Sequence, residues 1–176
     1  VDKVKTKEVL EGLCDYAESI SVKLMKDEAR VLGNAKGAFF PQEQLILINP
    51  DNTPGEKIVT TIHELAHATL HNPSLSDQYK ELPKGQKEFE AEMTSHLLSK
   101  HFGLDTSEKA IDYMASWTDN LKALDDKQLA DSLKRVHQTV SKMHKQIENH
   151  TKPYPLGKNR GQAPNFPKAP TKGPSR

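Results

Sequence analysis

The pentapeptide His63-Glu64-Leu65-Ala66-His67 constrains this chain more than any other segment. Residues i and i+4 of an α-helix lie on one face, so imidazoles at that spacing close on one metal ion if the segment is helical. Glu64 follows the first histidine and can act as general base toward water at that metal. The flanks supply the helix. Thr53, Pro54 and Glu56 form a start signal: Thr53 is the N-cap, Pro54 takes the first helical position and Glu56 closes a capping box. Ile58, Ile62 and Leu65 give one apolar stripe, Val59, His63, His67 and Leu70 the neighbouring one, and Pro73 ends the element. A lone half-buried histidine is ordinarily a hydrogen-bonded core residue. A pair at this spacing, with an acid behind the first, points to a metal instead.

A zinc site that keeps a position open for water needs a third protein ligand. The helical stretch from Gly85 to His101 offers Glu88, Glu90 and Glu92. Glu88 and Glu92 share a face, next to an apolar stripe of Phe89, Met93 and Leu97. Glu88 is assigned as the ligand and Glu92 as the acid that orients a liganding imidazole, and the reverse is the alternative. His71 continues the row of His63 and His67, but one ion does not span so long a row. Ala68-Thr69-Leu70 also lacks the glycine bend of the longer metzincin pattern. His71 is expected near the helix C-terminus, where a partly charged imidazole is favourable.

These segments carry a resemblance. Gly37 to Pro50, then Ile62 to His71, then Glu88-Phe-Glu-Ala-Glu92 are similar to the ImmA/IrrE group of zincin-like metallopeptidases. Tyr113-Met-Ala-Ser-Trp117 and the long helix after it resemble more closely the metallopeptidase domain of ArdC-type antirestriction proteins, which recurs in polyvalent proteins of conjugative plasmids and phages. The resemblance spans about residues 30–148. It implies an intracellular regulatory protein as substrate, in mobile-element transfer or stress response. Many ImmA-like members have Asn where this chain has Glu92, so the two acids keep their alternative roles. The residues before the motif are too few for the single-stranded-DNA-binding domain of ArdC proteins, so DNA binding is not carried over.

The expected fold is α+β: a mostly helical zincin-like domain with a small antiparallel β-meander beside the HExxH helix. Residues 5–28 are expected to form one amphipathic helix, with Leu10, Leu13, Cys14, Ala17, Ile20 and Leu24 at helical spacing. Arg30-Val31-Leu32, Ala38-Phe39-Phe40 and Leu45 to Ile48 are expected strands, separated by turns at Gly33-Asn34 and Pro41-Gln42-Glu43. An edge of that sheet could pair with an extended peptide or simply cover the helices. Past Gly103, helices are expected over 107–124 and 126–149. The second carries a packing seam of Leu129, Leu133, Val136, Val140, Met143 and Ile147, with His137 and His144 at its border.

Charge divides the chain. Residues 151–176 contain six of the 11 prolines, six basic residues and no acid, leaving 19 basic and 24 acidic residues before them. The expected organisation is therefore a peptidase domain over 1–150 and a disordered basic tail or linker over 151–176, within a larger polypeptide. The tail could touch nucleic acid non-specifically. No run reaches membrane-spanning length and no signal-peptide pattern opens the chain. One cysteine, Cys14, excludes an internal disulfide framework and agrees with a reducing cytoplasm. It lies in an apolar stripe, where packing is its expected role.

The chemistry these residues predict is amide hydrolysis with one Zn²⁺ per chain held by His63, His67 and Glu88, with a protein or peptide as substrate. Glu64 takes the proton of the attacking water and passes it to the leaving amine. Tyr79 and Tyr113 are the candidates for stabilising the oxyanion or contacting substrate. The rival readings are a zinc-containing antirestriction module that occludes protein or DNA without cutting, and a structural domain with a closed zinc site.

Overall fold

The computed structural model describes residues 3–75, 82–119 and 122–151. The elements run α1 (Lys3–Ser19), β1 (Lys23–Lys26), β2 (Gly37–Phe40), β3 (Leu45–Ile48), α2 (Pro54–Leu70), α3 (Lys84–His101), α4 (Ser107–Thr118) and α5 (Asp126–Thr151). The α+β, mostly helical class holds, with a single three-stranded sheet among the described residues. Tyr79 and the basic tail beyond residue 151 lie outside the described residues.

The sheet is mixed, whereas an antiparallel meander was expected. Its order is β1-β3-β2, with β1 parallel to β3 and β2 antiparallel to it. The first expected strand also moves. α1 ends at Ser19 and Ser21 takes a left-handed φ of 59°, so Val22, Lys23 and Leu24 leave the helix and alternate buried, exposed, buried. That period of two is a strand's, and it puts Leu24 into the core from β1. Arg30-Val31-Leu32 forms a turn instead. The Asp27 carboxylate accepts hydrogen bonds from the Val31 and Leu32 amides at 3.0 and 2.9 Å, and Arg30 is left-handed at 56°.

α2 starts as its signal dictates. Thr53 Oγ1 accepts from the Glu56 amide and the Glu56 carboxylate accepts from the Thr53 amide, each at 3.2 Å. Ile58, Ile62 and Leu65 are fully buried in the main core with Leu13, Tyr16, Ile46, Ile48, Leu98, Met143 and Ile147. β2 lies close against α2 through Gly37, where a Cβ would stand 2.6 Å from Thr60 Cγ2.

α3 packs against α2, α4 and α5, while α1 lies along α5. Its buried face is unusually polar, holding Gln86, Glu90, Thr94, Ser95 and Ser99 beside Phe89, Ala91 and Leu98, and Leu97 points outward. α4 stops earlier than its expected end at 124, because Asp119 caps it in the left-handed region with φ 48°. The seam of α5 also differs: Leu133 is exposed, and Ser132, Val136, Thr139, Met143 and Ile147 face inward. His144 stacks on His101 and His137 is exposed, both away from the HExxH face. No helix among the described residues is long and apolar enough to cross a membrane.

Candidate metal centre

The site lies where α2 and α3 face each other. The i, i+4 spacing on α2 puts the His63 and His67 rings 4.9 Å apart, edge to face. Across from them, Glu88 in the first turns of α3 lies between both rings. Its Oε2 is 3.3 Å from His63 Nε2 and its Oε1 3.3 Å from His67 Nε2. One donor atom from each of the three residues lies within 4.8 Å of the others, so His63, His67 and Glu88 could hold a metal ion. The set fits one chemically. Two imidazole nitrogens and a carboxylate oxygen are a divalent-metal donor set, and bonds of about 2.0 Å in a tetrahedron separate donors by about 3.3 Å.

Around these donors stand three further groups. Glu92, one turn beyond Glu88, accepts from His63 Nδ1 at 2.9 Å, leaving Nε2 toward Glu88. Tyr113 of α4 donates its hydroxyl to Glu88 Oε2 at 2.9 Å and packs its ring edge-on to His63. Glu64 lines the same cleft, about 440 Å³ in volume, with Gly37, Ala38 and Phe39 of β2 along one wall.

The electrostatics follow from this crowding. Burial lowers the affinity of His63 for a proton, but its contacts with Glu88 and Glu92 outweigh that and push its pKa up to about 10. His67 goes the other way: burial, with His63 and His71 beside it, lowers its pKa against the opposing contact with Glu88. Burial alone would raise Glu88, yet hydrogen bonds from the two histidines hold it below the usual carboxylate range. Glu64 is raised, first by burial and then by Glu88, against His63 and a hydrogen bond from the Phe39 amide. Burial and the neighbouring Glu88 raise the Tyr113 phenol.

The IrrE N-terminal-like domain of the peptidase M78 family matches residues 18–124. The chain belongs to this family. The match takes in β1 to α4 and every residue of the site described so far. The chain is also similar to an uncharacterized protein of Bacillus anthracis, 39% identical over 133 residues, which is 70% of this chain and 21% of that relative. It therefore spans about a fifth of the length of the curated relative it matches. No solved structure matches significantly.

One part of this M78 site had no reading in the sequence. His71 caps α2, as its position near the helix end suggests, but it also reaches inward: its Nδ1 is 3.0 Å from His67 Nδ1 and its Nε2 3.0 Å from Glu90 Oε1. Glu90 is wholly buried and accepts from Ser132 Oγ at 2.5 Å and from Arg135 Nη2 at 2.6 Å. Burial works against its charge, and the bonds from His71, Arg135 and Ser132 still keep its pKa low. The available signal was an acid between Phe89 and Ala91, on the side of α3 opposite Glu88 and Glu92.

Proposed function

We propose that this chain is a zinc-dependent metallopeptidase in which His63, His67 and Glu88 hold the ion, Glu64 is the general base and Glu92 orients His63. The observation that carries the reading is convergence: two imidazole Nε2 atoms and one carboxylate meet in a cleft that Glu64 also lines. Mixed nitrogen and oxygen donors of this kind favour zinc. When bound, such an ion polarises the scissile carbonyl and acidifies the attacking water.

The remaining steps belong to the chain's own groups. Glu64 accepts the proton of the water as its oxygen bonds to the carbonyl carbon, then delivers it to the amide nitrogen as the C–N bond breaks. The Phe39 amide fixes the Glu64 carboxylate for this exchange. Tyr113, whose hydroxyl already points into the cleft at Glu88, is the candidate donor to the oxyanion, with Tyr79 a second candidate on sequence grounds. β2 is an edge strand on the cleft wall, so an extended peptide can add to it as a further strand and bring its backbone past Glu64.

The finer identity rests on resemblance. An intracellular regulator as substrate, mobile-element or antirestriction context and a cytoplasmic setting all follow from the similarity to ImmA/IrrE and ArdC-type domains. On composition, residues 1–150 form the peptidase domain, and 151–176, with six prolines, six basic residues and no acid, form a basic tail or linker able to touch nucleic acid. The test is to incubate the zinc-loaded chain with a library of cellular peptides and identify new termini by mass spectrometry. The wild type should cut, and Glu64→Gln should lose about 10²- to 10⁴-fold in rate while keeping its zinc. Zinc binding without cleavage by the wild type would replace the peptidase with a binding module that acts by occlusion.

A further inference from the structure

Buried Glu90 and His71 and the partly buried Arg135 form a polar chain that the hydrolytic mechanism does not use. A carboxylate with no exposed surface is costly to bury, and a buried ion pair is seldom worth more than well-packed apolar residues of the same volume. The placement is informative because the chain ends on His67. From α5, Arg135 Nη2 donates to Glu90 Oε2 at 2.6 Å, and its Nε lies 3.2 Å from both carboxylate oxygens. Ser132 Oγ donates to the same Oε2, and Gln86 Nε2 donates to Ser132 Oγ at 3.0 Å. Glu90 is therefore fixed on one side, and its Oε1 faces His71 Nε2.

Hydrogen placement in this chain has one self-consistent solution when His67 Nε2 offers its lone pair to a metal. The His67 hydrogen must then be on Nδ1, where it points at His71 Nδ1. His71 accepts there, so its own hydrogen is on Nε2, directed at the Glu90 carboxylate. We propose that His71 and Glu90, anchored by Arg135 and Ser132 of α5, are positioning residues that fix the tautomer and ring orientation of His67 and strengthen it as a metal donor. An outer carboxylate acting on a liganding imidazole is established physical logic; here the action passes through a second imidazole. The inference rests on the metal-site reading above. It also enlarges the site: Ser132 and Arg135 lie beyond the span that matches the family, 18–124.

The test is zinc affinity by competition with a chelating dye, on the full chain, with thermal stability in excess chelator measured in parallel. His71→Leu breaks the chain, whereas the His71→Gln amide can still accept from His67 and donate to Glu90. The leucine variant should bind zinc about 10- to 100-fold more weakly, and the glutamine variant should recover most of that loss. Arg135→Lys and Ser132→Ala, on a helix that bears no ligand, should weaken zinc binding in the same direction with helical circular dichroism intact, and they carry the test if the leucine variant does not fold. Wild-type affinity in the leucine variant, or in both α5 variants when the leucine variant is lost, overturns the proposal. Equal losses in the leucine and glutamine variants also overturn it, since packing alone then explains His71. A wild type that binds no zinc removes the reading beneath it, which separates the two failures.

Discussion

Glu92 and Glu90 are two residues apart on α3, and each serves a histidine of α2, by different routes. Glu92 is partly exposed and touches His63 directly at 2.9 Å. Glu90 is wholly buried and reaches His67 through His71. The difference teaches how burial changes the demands on an acid. A partly exposed carboxylate keeps some water, whereas in the core it must find protein donors for its oxygens. Glu90 finds them on α5, so the His67 half of the site depends on a distant helix and the His63 half does not.

The largest expected effect separates the two acids. Glu90→Ala removes the carboxylate that both Arg135 and His71 contact, and should cost about 3–5 kcal/mol of folding stability in urea denaturation. Glu92→Ala, at a partly exposed position, should cost about 1 kcal/mol. Equal losses would break the comparison.

A middle-sized effect tests the dependence on α5. A Cβ at Gly12 would stand 2.7 Å from the Ile147 Cα, so Gly12→Val must push α1 and α5 apart. Overpacking of this kind should cost about 1–3 kcal/mol by thermal denaturation. The comparison is sharpened if zinc affinity falls in this variant as it does in Arg135→Lys.

The smallest effect is on the remote side of the core. Burial, then Asp15, push the Cys14 thiol from 9.0 up to about 11. Since the folded chain holds this proton more tightly, the stability is fully present below pH 9 and is lost as pH rises toward 11. Urea titrations at both ends of that range should show a larger loss in the wild type than in Cys14→Ala, where the raised Tyr16 phenol still contributes. At pH 8 the folded thiol should also react with iodoacetamide about a hundredfold more slowly than in the unfolded chain.

What the sequence made legible was local. α2 was readable from Thr53 to Pro73 because its cap, its stripe and its histidines share one period, and β2 and β3 because turn residues bracket them. β1 was not. Leu13, Ala17, Ile20 and Leu24 keep helical spacing across the break, and the left-handed Ser21 that ends the helix carries no sequence mark. Its parallel pairing with β3 is non-local and leaves no trace in periodicity. Glu88 and Glu92 were readable as a same-face pair, whereas Glu90 looked like one more acid in a solvated run. Its partner Arg135 is 45 residues away, and the burial that gives Glu90 meaning is created by the docking of α5.

The central claim is that His63, His67 and Glu88 together hold one metal ion. Elemental analysis of the chain purified without chelators, beside Glu88→Ala, tests it most directly. The account predicts about one zinc per chain in the wild type and little or none in the variant. Absence of zinc from the wild type, or its full retention by Glu88→Ala, would contradict it.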